Sequence, residues 1–449
     1  NGDIVYINDG KVINIKQRTN TFIVGILHLN TNQKYGFTKR NIPLFKFTSI
    51  SNKYPNFIVP SKSREKKALY CVIQLNKWET NNKQPIGKIE KIIGPVGDIN
   101  NEIDMLLYHT QIYPKKNKTK YIKDVEVHNT CDYHTFSIDP PGCKDIDDAL
   151  HYKENSDTIE IGIHIANVAR YIDIIDTNIY SSIYLNNKQI NMLKDDITFN
   201  QCSLGDSVYR KSLSLILTYK DYKLVNTEFK ECIVRNTALT YEKVDKIIKY
   251  NIRHEILDLY NFTKKIQKSD SIPATKMVEF YMLKYNNICA ETLYKYNPKT
   301  ILRTHKNIET EFNNLSLDLK LYLHRINQNA AQYISDPEDT YHRDLDLQYY
   351  THATSPIRRY VDIINQLNII RLLENKDIII KDNLDSVNIF QKKLRKFYNY
   401  NKKLNLIFNM SSEETHDAFI ISKNNLKLKV YIPSLDIEHG FMLLSNKLI

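Results

Sequence analysis

The spacing of apolar positions changes along the chain, and the changes divide it into regions. From residue 1 to about 130, apolar residues come in short runs separated by Asn, Gly and Lys. The runs are Ile4 to Ile7, Phe22 to Leu27, Phe57 to Pro60, Ala68 to Ile73 and Ile86 to Gly94. Runs of this length, rich in β-branched and aromatic residues and bounded by turn formers, predict strands. Two small five-stranded barrels, over residues 1–60 and 61–130, account for the length. Gly162 to Val168 alternates and predicts another strand, in which His164 reads as a core histidine. A helical period then takes over. Arg235 to Tyr241 opens a helix through Val244, Ile247 and Ile248. Residues 277–295 carry a stripe of Val278, Tyr281, Met282, Tyr285, Ile288 and Cys289. Ser355 as N-cap and Pro356 at the first helical position predict a third helix, with Ile357, Tyr360, Val361, Ile364 and Leu367 inward. Past residue 410, Leu426, Leu428, Val430 and Ile432 alternate with Lys427, Lys429 and Tyr431. The expected fold class is α+β: N-terminal β-barrels, a central mixed α/β domain over 131–410 and a short β segment over 411–449.

Composition narrows the class. Hydrophobic residues at 42% and charged residues at 25% of 449 are ordinary for a globular protein. No apolar run reaches the ~18 residues that span a bilayer, and the start has no signal-peptide pattern. Asn1 in place of Met leaves room for sequence upstream. A net charge of +12 favours a polyanionic partner, through phosphate attraction and counterion release. The six cysteines form no Cys-x-x-Cys pair, so neither structural zinc nor a disulfide framework is expected, and a reducing, intracellular setting fits.

The chemistry concentrates in Asp139-Pro140-Pro141-Gly142-Cys143-Lys144-Asp145-Ile146-Asp147-Asp148. If these carboxylates converge, each pair about 4 Å apart repels by roughly 4 kcal/mol at an effective dielectric near 20. Such a cluster persists only when protonated or when it holds a dication, and hard oxygen ligands favour Mg²⁺ or Mn²⁺. Pro140, Pro141 and Gly142 set an irregular turn, so the acids sit on a shaped loop. A solvated acidic loop is the alternative. An EF-hand is excluded by spacing, since Leu150 and Ser156 stand where it needs Gly and Glu.

This segment, with Ser137-Ile138 before it and Ile159 to Ala166 after it, resembles the catalytic signature of the ribonuclease II / ribonuclease R family. The Asp-Pro-Pro-Gly-Cys variant is most similar to the branch of the eukaryotic RNA exosome's catalytic subunit. Thr351-His352-Ala353-Thr354-Ser355-Pro356-Ile357-Arg358-Arg359-Tyr360 resembles a second signature of the same family. The resemblance implies two OB/cold-shock-like barrels before an RNB catalytic domain and an OB-like RNA-binding segment after it. It implies a metal-dependent 3′-to-5′ exoribonuclease acting on single-stranded RNA, with Mg²⁺, or Mn²⁺, held by Asp139, Asp145, Asp147 and Asp148. Arg358 is expected at the scissile phosphate and Tyr184 against the terminal base. Tyr241, Glu279, Arg303 and Arg359 are the other expected RNA contacts.

The chain departs from the family at several positions. Asn167 stands where Asp is usual, Phe280 replaces the second of two glutamates, and Gln366-Leu367 replaces His-Arg, read as a peripheral loss. Between Tyr250 and Met277 the segment carrying a second stacking aromatic is missing; Tyr281 or a nearby tyrosine is the candidate replacement. These departures keep one rival open, a catalytically reduced RNA-binding relative; a structural subunit of a multiprotein RNA-degrading complex is a second. No membrane partner is expected; a cytoplasmic or nuclear location is.

Overall fold

The structure is a computed structural model that describes residues 4–8, 11–17, 22–78, 83–113, 119–122, 132–175, 177–186, 188–305, 316–327, 331–335, 338, 340–381, 384–410, 413–424 and 427–442. It divides into two compact units, one of residues 1–113 with 390–449 and one of residues 114–389. None of the described helices is long and apolar enough to cross a membrane. The described cysteines are all free thiols.

The first unit opens with a hairpin, β1 (Ile4–Asn8) and β2 (Lys11–Gln17). A closed barrel follows, of β3 (Ile23–His28), β4 (Leu44–Ser49), β5 (Phe57–Pro60), β6 (Ala68–Lys77) and β7 (Ile86–Pro95), in the order β3-β4-β5-β7-β6. Leu27, Phe47, Val59, Cys71 and Ile73 fill it. Gly25 is fixed by packing, since a Cβ there would lie 2.2 Å from the Thr48 carbonyl oxygen. The expected boundary at residues 60 and 61 falls inside this barrel. The polar run after Pro60 resembles a linker, but β6 pairs with β3 from Ile23↔Ile73 to His28↔Ala68, which joins both sides into one barrel. The segment 123–131, assigned to the second expected barrel, lies outside the described residues. α1 (Ile99–His109) follows, capped by the Asp98 carboxylate, which accepts from the Asn100 and Asn101 amides.

The second unit is built on another closed barrel. Its chain order is β8 (Lys120–Tyr121), β9 (Asp132–Asp139), β10 (Asp148–Glu154), β11 (Ile159–Ala166), β12 (Ile172–Ile174), β13 (Ile183–Tyr184), β14 (Gln189–Ile190), β15 (Tyr209–Lys220) and β16 (Lys223–Thr240). The barrel runs β10-β11-β15-β16-β9 and closes through a parallel pairing of β16 with β9, from Ile233↔Asp132 to Thr240↔Asp139. Along β11 and β15 the period of two sorts side chains. Ile161, Ile163 and Ile165 join Leu213, Leu215 and Leu217 in the apolar core. His164 pairs with Ser214 in the register, and its Nδ1 lies 2.7 Å from the Ser214 hydroxyl. Its Nε2 lies 2.7 Å from His151 Nδ1, so His164 is a satisfied core histidine.

Helices α2 (Tyr241–Lys249), α3 (Glu255–Gln267) and α4 (Ala274–Tyr296) follow the barrel. α2 begins only at Tyr241, where the Thr240 hydroxyl accepts from the Lys243 amide, and the preceding residues remain in β16. After β17 (Ile301–Thr304), α5 (Leu317–Asn327) and β18 (Gln332–Ser335) comes α6 (Tyr360–Leu373). It starts later than Ser355 and Pro356 predict. The Asp362 carboxylate accepts from the Ser355 amide at 2.7 Å, and the Ser355 carbonyl accepts from the Arg358 and Arg359 amides. That network closes a turn over 355–359 in place of a first helical turn.

Gln366 is buried on α6, and both ends of its amide are used. Nε2 donates to the Ala166 carbonyl at 2.8 Å and Oε1 accepts from the Ala169 amide at 2.9 Å. It therefore clamps α6 to the end of β11 and is no peripheral loss. Asn167 beside it donates to Glu231 at 2.8 Å, and Arg170 makes a two-pronged pair with the same Glu231.

The last described elements are α7 (Asp385–Asn409) and an antiparallel sheet of β19 (Phe419–Lys423), β20 (Lys427–Ile432) and β21 (Ile437–Met442). The alternating C-terminal stretch thus gives three strands.

Gln366→Leu is expected to cost roughly 1–3 kcal/mol of stability, because the buried Ala169 amide loses its partner while the Ala166 carbonyl keeps the Val168 amide. Urea unfolding measures it. A loss below about 0.5 kcal/mol, the range of ordinary surface substitutions, contradicts the clamp.

Candidate active site

Asp139 is the last residue of β9 and Asp148 the first of β10, so the barrel brings the two ends of the acidic loop together. Between them the Cys143 amide donates to the Pro140 carbonyl, and Gly142 takes a φ of +81°, where residues with a Cβ are strained. The far half of the loop is held by Ser203. Its hydroxyl accepts from the Ile146 amide at 3.0 Å and donates to the Lys144 carbonyl at 2.8 Å, while the Leu204 amide donates to the Ile146 carbonyl.

Each carboxylate has its own surroundings. Asp147 is buried; Oδ1 accepts from the Ile357 amide at 2.9 Å and Oδ2 from Arg358 Nε at 3.1 Å. Arg358 also donates from Nη2 to the Ser355 hydroxyl, yet 45% of its side chain remains exposed at the cavity. Asp145 Oδ2 accepts from the Tyr184 hydroxyl and, at 2.9 Å, from Gln189 Nε2. Asp139 keeps one oxygen, Oδ2, buried with no hydrogen-bond partner among the described residues. Burial is the largest influence on three of the four acids. It raises Asp139, and it pushes Asp147 up to about 8, against the pull of Arg358 and the Ile357 amide. It pushes Asp148 up to about 7, with the charge of Asp139 adding to the rise.

Asp139, Asp145, Asp147, Asp148, Tyr184 and Arg358 line one cavity of about 1270 Å³. Two of the strongest sequence signatures, some 200 positions apart, thus meet at one place. Tyr241 stands near it at the start of α2, its hydroxyl raised by burial and then by the charges of Asp148 and Asp139. The other expected RNA contacts are not brought into the cavity lining. Arg359 turns to Asp362, at 2.7 Å. Glu279 is exposed on α4 and pairs with Lys276, because the buried stripe of that helix runs through its neighbours Met277, Val278 and Tyr281. Arg303 lies on β17 with its guanidinium over the Tyr333 ring. Tyr281 is fully buried and hydrogen-bonded to Thr263, so it supplies no stacking face. Phe199, on the irregular turn Asp196–Cys202, lines the cavity instead. Its place was hidden in the sequence because nothing in the spacing marks that turn as a wall of the site. Gln189 was missed likewise; its signal is the hairpin register, which sets it opposite Tyr184.

The chemistry of the donor set fits a hard dication. It consists of carboxylate oxygens, one of them orphaned, on acids whose charged forms burial disfavours. Among the described residues no three His, Cys, Asp or Glu side chains stand as a ready-made metal cage. Asp147 already serves Arg358 and Ile357, which leaves Asp139, Asp145 and Asp148 as the available oxygens.

A carboxylate raised by burial binds its proton more tightly in the folded than in the unfolded chain, so its contribution to stability falls as pH rises above the ordinary carboxylate range toward the raised value. In EDTA the change in stability from pH 5 to pH 8 should therefore be less favourable for the parent than for Asp148→Asn, which has no charge to bury, by on the order of 2 kcal/mol from about 1.4 kcal/mol per pKa unit. Urea unfolding at both pH values measures the difference; equal slopes for the two proteins contradict the burial of Asp148.

Comparison with known proteins gives concordant results. The model of the RNB domain matches residues 127–269 and 253–375, together more than half of the chain, and that of the Dis3-like cold-shock domain 2 (CSD2) matches residues 44–111. The exosome complex exonuclease RRP44 of Mus musculus is 25% identical, the match covering 71% of this chain and 43% of that protein. The chain thus spans less than half the length of that relative. RNase R of Mycoplasma genitalium, solved in complex with ribose-methylated single-stranded RNA, shares the fold with a TM-score of 0.75 and 16% identity, over 97% of this chain and 84% of that one. Yeast Ssd1, described as a pseudonuclease, also shares it, with a TM-score of 0.70 and 15% identity, over 98% of this chain and 68% of that one. The acidic loop and the Arg358 turn both lie within the matched span, and the chain belongs to the RNB domain family.

Proposed function

We propose that this chain carries the active site of a 3′-to-5′ exoribonuclease that hydrolyses single-stranded RNA to nucleoside 5′-monophosphates. The observation that carries the reading is the convergence of four aspartates, one exposed arginine and one tyrosine ring on a single cavity. Family membership and the similarity to the mouse exosome exonuclease support it.

In this reading water adds to the phosphorus of the last phosphodiester, and the 3′ oxygen of the preceding nucleotide leaves with a proton. Arg358 binds the scissile phosphate with the part of its guanidinium that Asp147 and Ser355 do not use, and Asp147 fixes that orientation. Tyr184 stacks on the terminal base, a contact of about 1–3 kcal/mol that accepts any base. Asp139, Asp145 and Asp148 would hold Mg²⁺ or Mn²⁺, which when bound neutralises the clustered charge and activates water. The net charge of +12 draws the RNA backbone to the protein.

The second reading is a relative that binds RNA without cutting it. It rests on the engagement of Asp147 with Arg358, which takes one of the four acids away from a metal. One experiment separates the two. With Mg²⁺, the parent should shorten labelled single-stranded RNA and Asp148→Asn should not, while both bind RNA in EDTA within about threefold, less than 1 kcal/mol. A parent that binds RNA but leaves its length unchanged supports the second reading. A variant cutting within a few-fold of the parent removes Asp148 from the chemistry.

A further inference from the structure

The hairpin of β13 and β14 touches both halves of the site. At its base the Ser182 amide donates to the Arg358 carbonyl at 3.0 Å, and the Tyr360 amide donates to the Tyr180 carbonyl at 3.1 Å. Ser181 forms a β-bridge with Arg359. The Ser182 hydroxyl accepts from the Met192 amide and secures the return strand. Farther along, Tyr184 and Gln189 are register partners, and both donate to the same oxygen of Asp145. The hairpin is thus bonded to the Arg358 turn at one end and grips an acid of the loop at the other.

Two neutral donors on one carboxylate oxygen fix the direction of the other. Among the described residues, Asp145 Oδ1 has only a weak neighbour, the Cys143 thiol at 3.9 Å. Hydrogen bonds to a charged acceptor are stronger than neutral ones, and outer partners of this kind set the orientation of metal-binding carboxylates. Tyr184 also keeps ring surface exposed at the cavity.

We propose that the Tyr184 hydroxyl, with Gln189, is a positioning group that aims Asp145 at the divalent cation, a role separable from the stacking of its ring on the RNA base. The inference rests on the reading of the acidic loop as a metal site. It makes tyrosine, rather than any aromatic, the residue the site requires, and it couples the seating of the base to the geometry of the metal ligand.

The test separates ring from hydroxyl in the full chain. Mg²⁺ binding is measured by calorimetry and by the Mg²⁺ dependence of the melting temperature, and RNA binding in EDTA by anisotropy. Tyr184→Phe should weaken Mg²⁺ binding by about 10- to 100-fold, the usual effect of losing an outer partner, while RNA affinity stays within about threefold of the parent. Tyr184→Ala should lose both. Gln189→Ala should weaken Mg²⁺ binding and leave RNA affinity unchanged. If the parent binds Mg²⁺ and Tyr184→Phe binds it equally or more tightly, the positioning role is overturned while the metal site stands. If the parent binds no Mg²⁺ at all, both the metal reading and this inference fall.

Discussion

The site depends on how Asp147 is held. Its buried carboxylate takes the Ile357 amide on one oxygen and Arg358 on the other, joining the acidic loop to the turn before α6. A buried carboxylate left unpaired is costly, so each segment needs the other in place. The pairing also decides what remains for chemistry: Arg358 is oriented with part of its side chain exposed, and Asp139, Asp145 and Asp148 line the same cavity.

Three further links hold this junction in register. The Ala166 amide donates to the Asp147 carbonyl, and Gln366 on α6 binds the Ala166 carbonyl in turn. Ser203 grips the loop at Lys144 and Ile146. The β13–β14 hairpin spans from the Arg358 turn to Asp145. Every one of these is a hydrogen bond to the backbone or to a carboxylate, so the geometry of the cavity is set by polar contacts laid over an apolar barrel. Catalytic geometry requires that kind of control, because a small displacement of a charged group is expensive in rate.

Much of this was legible in the sequence. The runs at Phe57 to Pro60, Ala68 to Ile73 and Ile86 to Gly94 are strands as read, and the stripe from Val278 to Cys289 is the buried face of α4. The acidic loop stood out because its charge density demands a compensating partner. What was not legible is pairing over long separations. Nothing local says that β6 returns to β3, which merged two expected barrels into one. The start of α6 was misplaced because Asp362 reaches back to Ser355, so a serine that looks like a helix cap closes a turn instead. Gln366 looked dispensable because an amide's two backbone partners, some 200 positions away, leave no trace in spacing. Glu279 and Arg303 match motifs, yet their side chains are spent on Lys276 and Tyr333.

The central proposal is that this cavity consumes RNA from its 3′ end. The most direct measurement compares 5′-labelled single-stranded RNA with a free and with a blocked 3′ end, in Mg²⁺, resolving both the labelled product and the released nucleotides. The account predicts that the free-ended RNA shortens stepwise with release of nucleoside 5′-monophosphates while the blocked RNA persists. Internal cutting of the blocked RNA, or no shortening of either, would contradict it.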